Sequence, residues 1–101
     1  MKKKDNKNKD LDKEELYKAI LSLNDRGECR EFFEDLCTPA ELEAMTDRWS
    51  VVAYLKQGLA YRKIYELTGI SVTTIGRVAR TISLGSGGYN TALDRVLINR
   101  N

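Results

Sequence analysis

The apolar residues of this chain recur at the i, i+3, i+4 spacing of amphipathic α-helices rather than with the alternation of β-strands. The first predicted helix opens at Asp12, the second follows a loose connection at Gly27, and the third runs from Pro39 to about Gln57. Gly58 stands at the exit of the third helix. The fold class is therefore predicted to be all-α. The first two helices carry apolar faces made of Leu16, Tyr17, Ile20, Leu21 and Leu23, and of Cys29, Phe32, Phe33 and Leu36.

The third helix has the clearest start and the broadest apolar surface. Thr38 is predicted as N-cap, Pro39 as first helical residue and Glu41 as the partner in a capping box. The apolar residues cover about 200° of a helical wheel, whereas a surface helix needs a stripe of only about half that width. A short chain has few elements to cover such an arc, so a partner subunit in a two-fold dimer is predicted. The arc consists of Leu42, Met45, Trp49, Val51, Val52, Ala53 and Leu55, with Trp49 expected in the core.

Residues 60–82 have the pattern of a helix-turn-helix. A short amphipathic helix over residues 60–68, with Ala60, Ile64 and Leu67 on one side, is followed by Gly69, which suits a tight turn. Ile70 fits the corner, and Ser71 is predicted to cap the next helix. The alternative is an ordinary solvated pair of helices. The inward stripe of the second helix is predicted to be Val72, Ile75, Val78, Ala79 and Ile82.

The opposite face of that second helix carries Thr73, Thr74, Gly76, Arg77, Arg80 and Thr81, and no carboxylate. Arginine can pair with guanine or phosphate, threonine can contact phosphate or a thymine methyl, and glycine permits close approach. This chemistry predicts binding to double-stranded DNA. The predicted DNA-binding residues are Arg62, Lys63, Ser71, Val72, Thr73, Thr74, Gly76, Arg77, Arg80 and Thr81.

The ends of the chain are predicted to be less ordered. Residues 1–10 contain five lysines and two aspartates, with Met1 the only apolar residue, which is typical of a disordered tail. The tail is either simply solvated or trails along phosphates. Residues 84–88 are predicted as a linker, because no strand precedes this glycine-rich stretch and no Gly-Lys-Ser/Thr follows. Residues 11–101 thus form one domain, closed by a short helix that docks through Tyr89, Leu93, Val96 and Leu97 before residues 99–101 fray.

Composition and charge add to this interpretation. The chain has 101 residues, 42% hydrophobic and 32% charged, with no apolar run near the ~20 residues of a membrane span. Cys29 and Cys37 occur without any histidine, so buried free thiols in a reducing cytoplasm are favoured over zinc or a redox switch, and no cofactor is predicted. Seven acidic residues against one arginine lie between Glu28 and Asp47, whereas five basic residues against one glutamate lie between Lys56 and Leu84. The basic segment coincides with the helix-turn-helix, as a DNA-binding face requires.

The segments Leu36–Met45, Asp47–Arg48, Gly58 and Thr73–Arg77 resemble the Trp repressor superfamily over about two-thirds of the chain, with a one-residue gap after Gly58. The similarity is greatest to the bacterial branch called TrpR-related, YerC/YecD. The resemblance implies an intertwined homodimer whose two helix-turn-helix units reach successive major grooves of DNA. The Trp repressor is itself a standard example of that binding geometry.

In the tryptophan-responsive members, a threonine and two arginines hold the amino acid, and Thr38, Arg48 and Arg77 match those positions. Each also has a simpler interpretation: a helix cap, a partner for nearby acidic residues, and a phosphate contact. Those members place a glycine where this chain has Val78, whose methyl groups would clash with an indole. The resemblance therefore implies a small-molecule site of uncertain occupancy, and DNA binding without tryptophan is predicted.

The predicted function is a sequence-specific DNA-binding transcriptional regulator, a repressor in the first instance, that is cytoplasmic and nucleoid-associated. One alternative is a repressor gated by tryptophan or another small amino acid. Another is a protein-interaction module without DNA binding. An enzyme is not expected, because the chain has no histidine, neither cysteine has a recognisable base partner, and no paired carboxylates form a cleft pattern.

Overall fold

The computed structural model describes residues 6–98, and within that range all regular structure is helical, as predicted. Two compact units are present, one up to Pro39 and one from Ala40 onward, and each is described by itself. The helices are α1 (Asn6–Leu21), α2 (Arg26–Leu36), α3 (Pro39–Lys56), α4 (Tyr61–Thr68), α5 (Val72–Leu84) and α6 (Gly88–Ile98). None of them is long and apolar enough to cross a membrane.

The first helix begins at Asn6, earlier than the predicted start at Asp12. Of the predicted disordered tail, residues 6–10 are helical and residues 1–5 lie outside the described residues. The first turns are solvent-exposed and rich in lysine, a good helix former. A helix needs no buried face to extend by such residues from a nucleus already formed. The predicted start relied on hydrophobic periodicity, and this signal cannot detect helical turns made of polar residues.

The second helix begins at Arg26, so Gly27 lies inside its first turn and not in the predicted connection. The cap is Asp25, whose side chain accepts a hydrogen bond from the Glu28 backbone N–H at 2.9 Å. The Glu28 side chain in turn accepts one from the Asn24 N–H at 2.8 Å. This reciprocal arrangement resembles a capping box. The spacing of Asp25 and Glu28 is typical of a helix start and could have predicted this one, but the prediction followed the apolar residues instead.

The first unit has no fully buried side chain among residues 7–39. Phe32 and Phe33 pack edge to face at 5.5 Å between ring centroids. Cys29 and Cys37 form no disulfide and are half-buried, so the prediction of buried thiols is only partly met. Leu21 keeps 84% of its surface exposed. The other strongly exposed apolar residues of this unit are Leu11, Tyr17 and Leu36.

The second unit contains the buried cluster. It draws on all four helices of the unit and consists of Val51, Val52, Ile64, Ile75, Val78 and Leu93. The third helix ends at Lys56, and Gly58, predicted at its exit, has a left-handed conformation with φ 82°. Trp49 was expected in the core but remains 37% exposed, with its ring 6.3 Å from that of Tyr89. Only part of the predicted α6 face docks: Leu93 is buried and Tyr89 half-buried, while Val96 and Leu97 are exposed. Residues 99–101 lie outside the described residues.

Candidate DNA-binding surface

The turn between α4 and α5 is fixed by glycine geometry and a threonine hydroxyl. Gly69 has φ 74°, a conformation that costs a residue with a Cβ about 1–2 kcal/mol, and its N–H donates to the Tyr65 carbonyl at 2.8 Å. The Thr68 hydroxyl donates to the Ile64 carbonyl at 2.7 Å and accepts from the Ile70 N–H at 3.1 Å. Ile70 is half-buried against the core cluster. The predicted roles of Gly69 and Ile70 are therefore confirmed.

Ser71 caps α5 as predicted. Its hydroxyl oxygen accepts from the Thr74 N–H at 3.2 Å and its O–H donates to the Thr74 hydroxyl at 3.1 Å. The cap satisfies one of the amides that a helix start otherwise leaves unpaired. Because Thr74 is half-buried and bonded to Ser71, it is less open than the outward position predicted for it.

The inward stripe of α5 is shorter than predicted. Ile75 and Val78 are buried, and Ala79 and Ile82 are half-buried, but Val72 is 52% exposed. Val72 lies in the first turn, where the Cα–Cβ bond tilts toward the helix N-terminus and carries the side chain past the end of the helix. The side chain therefore misses the core. Leu67, predicted on the inward side of the preceding helix, is likewise 52% exposed at the last turn of α4.

The arginines of α5 are exposed and unpaired. Neither Arg77 nor Arg80 has an ion-pair partner within residues 6–98, and α5 itself contains no acidic residue. Thr73 is exposed beside them. Thr81 is also exposed, and its hydroxyl donates to the Arg77 carbonyl at 3.0 Å. The outward face thus presents two cations whose charge the described chain does not neutralise.

Gly76 lies at the edge of this face and not at its centre. It is half-buried, and a Cβ added there would meet Cε2 of Tyr61 at 3.8 Å, an ordinary contact. Tyr61, at the start of α4, is exposed on its other side. Tyr61 was not among the predicted surface residues. Its only signal was an aromatic residue at the first position of a helix.

The start of α4 adds positive charge at the same surface. Its N-cap is Ala60, which offers no side-chain hydrogen bond, and its first turn has no acidic residue. Lys63 has no ion-pair partner in the described part of the chain. Arg62 lies 3.7 Å from Glu66, but both side chains are largely exposed, so the pair is weak.

The three predicted ligand residues are divided between the units. Thr38 belongs to the first unit, is exposed and has an interaction partner. Arg48 and Arg77 belong to the second. Arg48 is half-buried, and the ion pair considered for it is not found among the described residues. Val78 is 1% exposed and belongs to the buried cluster. No group of three or more His, Cys, Asp or Glu residues that could hold a metal occurs within residues 6–98.

These features define an all-α protein with a capped, glycine-turned helix-turn-helix whose outer face is basic. Residues 11–97 match the Trp repressor protein family, and the chain belongs to that family. It is a family of DNA-binding regulators and not of enzymes. The family prediction made from the sequence is confirmed.

Individual relatives agree with this assignment. The chain is 46% identical over 88 residues to YerC of Bacillus subtilis (strain 168), an uncharacterised protein, covering 87% of this chain and 83% of YerC. A crystal structure of a TrpR-like protein from Eubacterium eligens superimposes with a TM-score of 0.78 at 41% identity, covering 82% of this chain and 86% of that one. A Staphylococcus aureus protein described as a candidate Trp repressor gives a TM-score of 0.79 at 42% identity, covering 87% and 88%.

Proposed function

We propose that this chain is a sequence-specific transcriptional regulator that binds a two-fold symmetric DNA site as a homodimer and represses by occupancy. The observation that carries the proposal is a pair of arginines, Arg77 and Arg80, that have no ion-pair partner within residues 6–98. They lie on an acid-free helix that follows a helix-turn-helix turn. In such motifs the second helix enters the major groove. A regulator of this kind acts in the cytoplasm, at the nucleoid.

The base-contacting and phosphate-contacting roles divide between the two helices. Arg77, Arg80 and Thr73 face outward on α5, where arginine can bond guanine in the groove or a flanking phosphate. The start of α4 supplies unpaired backbone N–H groups together with Arg62 and Lys63, which is suited to a phosphate on the groove edge. Phosphate contacts of this type set register, and base contacts set sequence preference.

Exposed apolar surface supports the dimer. The first unit has no fully buried side chain among residues 7–39, and Met45 and Trp49 on α3 remain 37% exposed. Helices of this length gain most of their stability from packing, so such faces call for a partner. A second copy of the chain provides it, and half-sites should lie about 10 base pairs apart or a multiple of that. A folded monomer of ~11.5 kDa at micromolar concentration in light scattering would exclude the dimer.

Operation without tryptophan is supported by Val78. Its side chain is already enclosed in the core cluster, where α5 packs against other helices of the second unit. A ligand that needed this space would have to displace it. We therefore infer that the unliganded protein binds DNA.

A second candidate, regulation by a small amino acid, is favoured by Arg48 alone. Arg48 is a half-buried residue without an ion-pair partner among the described residues, so its guanidinium can give a carboxylate ligand strong hydrogen bonds. Titration calorimetry with each amino acid, followed by DNA-binding assays with those that bind, tests this. A ligand that requires Arg48 and changes DNA affinity would establish it.

The experiment for the main proposal is selection of bound duplexes from a random library, followed by affinity measurements against salt. Each neutralised phosphate contributes about −0.9 to the slope of log affinity against log salt. Arg77→Ala and Arg80→Ala should weaken binding and either flatten that slope or relax the base preference. The matched control is Arg30→Ala in the acid-rich segment of α2. It removes the same charge and should leave the affinity, the salt slope and the base preference unchanged.

Two results would overturn the proposal. If no duplex is enriched, the chain is not a sequence-specific DNA-binding protein, and the protein-interaction alternative takes its place. If Arg77→Ala and Arg80→Ala retain the affinity, slope and preference of the wild type, DNA does not contact this face of α5.

A further inference from the structure

Val72 is a branched apolar residue at the first position of α5, and it is 52% exposed. A single exposed apolar side chain is ordinary on a protein surface. Its position is what distinguishes Val72. It opens the helix that the proposed function places in the major groove, and the exposed residues that follow it there, Thr73 and Arg77, are polar.

The side chains of the first turn point into the space ahead of the helix. In an α-helix every Cα–Cβ bond tilts toward the N-terminus, so Val72 and Thr73 extend past the end of α5. Recognition helices contact base edges with these N-terminal residues. The neighbouring hydroxyls of Ser71 and Thr74 are bonded to each other, and Ser71 also accepts from the Thr74 N–H. The side-chain groups left open at this end include the two methyls of Val72.

The major groove offers a matching chemical group. Among the edges of the four base pairs, only thymine presents a methyl group, at C5. We propose that Val72 contacts the C5-methyl of a thymine in each half-site and thereby contributes to sequence preference. This inference rests on the proposed function, because it requires α5 to lie in the groove.

Uracil provides the test, since it pairs as thymine does but lacks the C5-methyl. Each thymine of a selected duplex is replaced in turn by deoxyuridine, and affinity for the dimer is measured. One thymine in each half-site should be sensitive. The loss should be about four-fold for one half-site and about fifteen-fold for both, as expected for exposing a single methyl-sized group.

The assignment to Val72 comes from two variants. Val72→Ala removes the contacting methyls, so its affinity should be the same for thymine and uracil duplexes. Leu84→Ala is the matched control: Leu84 is also an exposed apolar residue of α5, but it lies at the opposite end of that helix from Val72. It should keep the full four-fold discrimination. Neither substitution empties the core, and circular dichroism verifies that both variants fold. Should Val72→Ala bind too weakly to measure, Val72→Thr, which retains one methyl, should show reduced discrimination.

The outcomes separate this inference from the proposed function. If no duplex is bound, both fall. If duplexes are bound with the predicted dependence on Arg77 and Arg80, but no thymine is sensitive to uracil, the DNA-binding function stands and the thymine contact is excluded. Discrimination that persists unchanged in Val72→Ala would equally exclude Val72 as its source.

Discussion

Replacing Gly76 by alanine should stabilise the protein while weakening its binding to DNA. Gly76 lies inside α5, where glycine costs about 1 kcal/mol relative to alanine. The fold does not require this glycine: its φ is not positive, and an added Cβ would meet only Cε2 of Tyr61, at 3.8 Å. Glycine at position 76 therefore lowers the stability of α5, and no contact among residues 6–98 explains why a glycine is present there. Close approach of DNA to α5 is the explanation we test.

The magnitudes follow from these contacts. Gly76→Ala should raise the free energy of unfolding by about 0.5–1 kcal/mol, because helix propensity improves and no overlap with Tyr61 arises. That corresponds to an increase in Tm of about 2–8 °C for a domain of this size. At a closely packed interface the extra methyl should cost about 1–3 kcal/mol, comparable to overpacking in a core, or roughly five- to 150-fold in affinity.

Thermal unfolding followed by circular dichroism and DNA titration followed by fluorescence anisotropy measure the two effects. Protein concentration must be held constant, because the stability of a dimer depends on it. Gly88→Ala is the control, since an added Cβ there meets nothing within 4 Å and Gly88 lies at the start of α6, outside the proposed surface. It should leave DNA affinity unchanged. If Gly76→Ala is less stable than the wild type, the fold does require glycine at this position. If it is more stable but binds DNA as tightly, close approach at residue 76 is refuted.

Three substitutions in the turns that flank α5 should show how local geometry supports the surface. Gly69→Ala should lower the free energy of unfolding by about 1–2 kcal/mol in chemical denaturation, because φ 74° is unfavourable for a residue with a Cβ. Ser71→Ala should cost about 1 kcal/mol through loss of the cap, whereas Ser83→Ala, on the exposed part of the same helix, should be nearly neutral. Gly85→Ala should destabilise the α5–α6 connection, because its Cβ would lie 2.6 Å from the Thr81 carbonyl oxygen; an unchanged melting curve would show that the backbone there moves freely.

Features set by a few neighbouring residues were predictable from the sequence. The left-handed turn at Gly69, the cap at Ser71 and the start of α3 at Pro39 depend on local backbone conformation and hydrogen bonds, and all three occur as predicted. Buried Ile64 and Ile75 also follow directly from helical periodicity. The helix-turn-helix is therefore encoded by local signals, which a single sequence is enough to reveal.

Features that depend on which surface covers a residue were not predictable from the sequence. Periodicity assigns Val72 and Leu67 to an apolar stripe, but both lie at helix ends, where their side chains remain 52% exposed. Trp49 lies on the apolar side of α3 and yet stays half-exposed, because a helical wheel gives the direction of a side chain and not the presence of a covering surface. The contact of Tyr61 with Gly76 joins two helices through a turn, and no local pattern specifies it.

We predict that the protein does not respond to tryptophan, and Val78 is the residue on which this prediction rests. The tryptophan-responsive members of the family resemble this chain at Thr38, Arg48 and Arg77 but have glycine in place of Val78, and here the valine is 1% exposed within the core cluster. Wild-type protein should give no saturable heat with millimolar L-tryptophan in calorimetry, and it should bind its operator without the amino acid.

Alanine at position 78 is a better test of the steric argument than glycine. Val78→Ala removes two buried methyls at a cost of about 2–3 kcal/mol. Glycine would add about 1 kcal/mol through lost helix propensity and endanger a small core. Val51→Ala, an equal truncation elsewhere in the same core, controls for loosened packing. If the valine alone excludes the indole, tryptophan should bind to Val78→Ala and not to Val51→Ala. Micromolar binding of tryptophan to the wild type, with tighter DNA binding as a result, would contradict the steric argument and identify a corepressor-dependent regulator in which Arg48 serves the ligand.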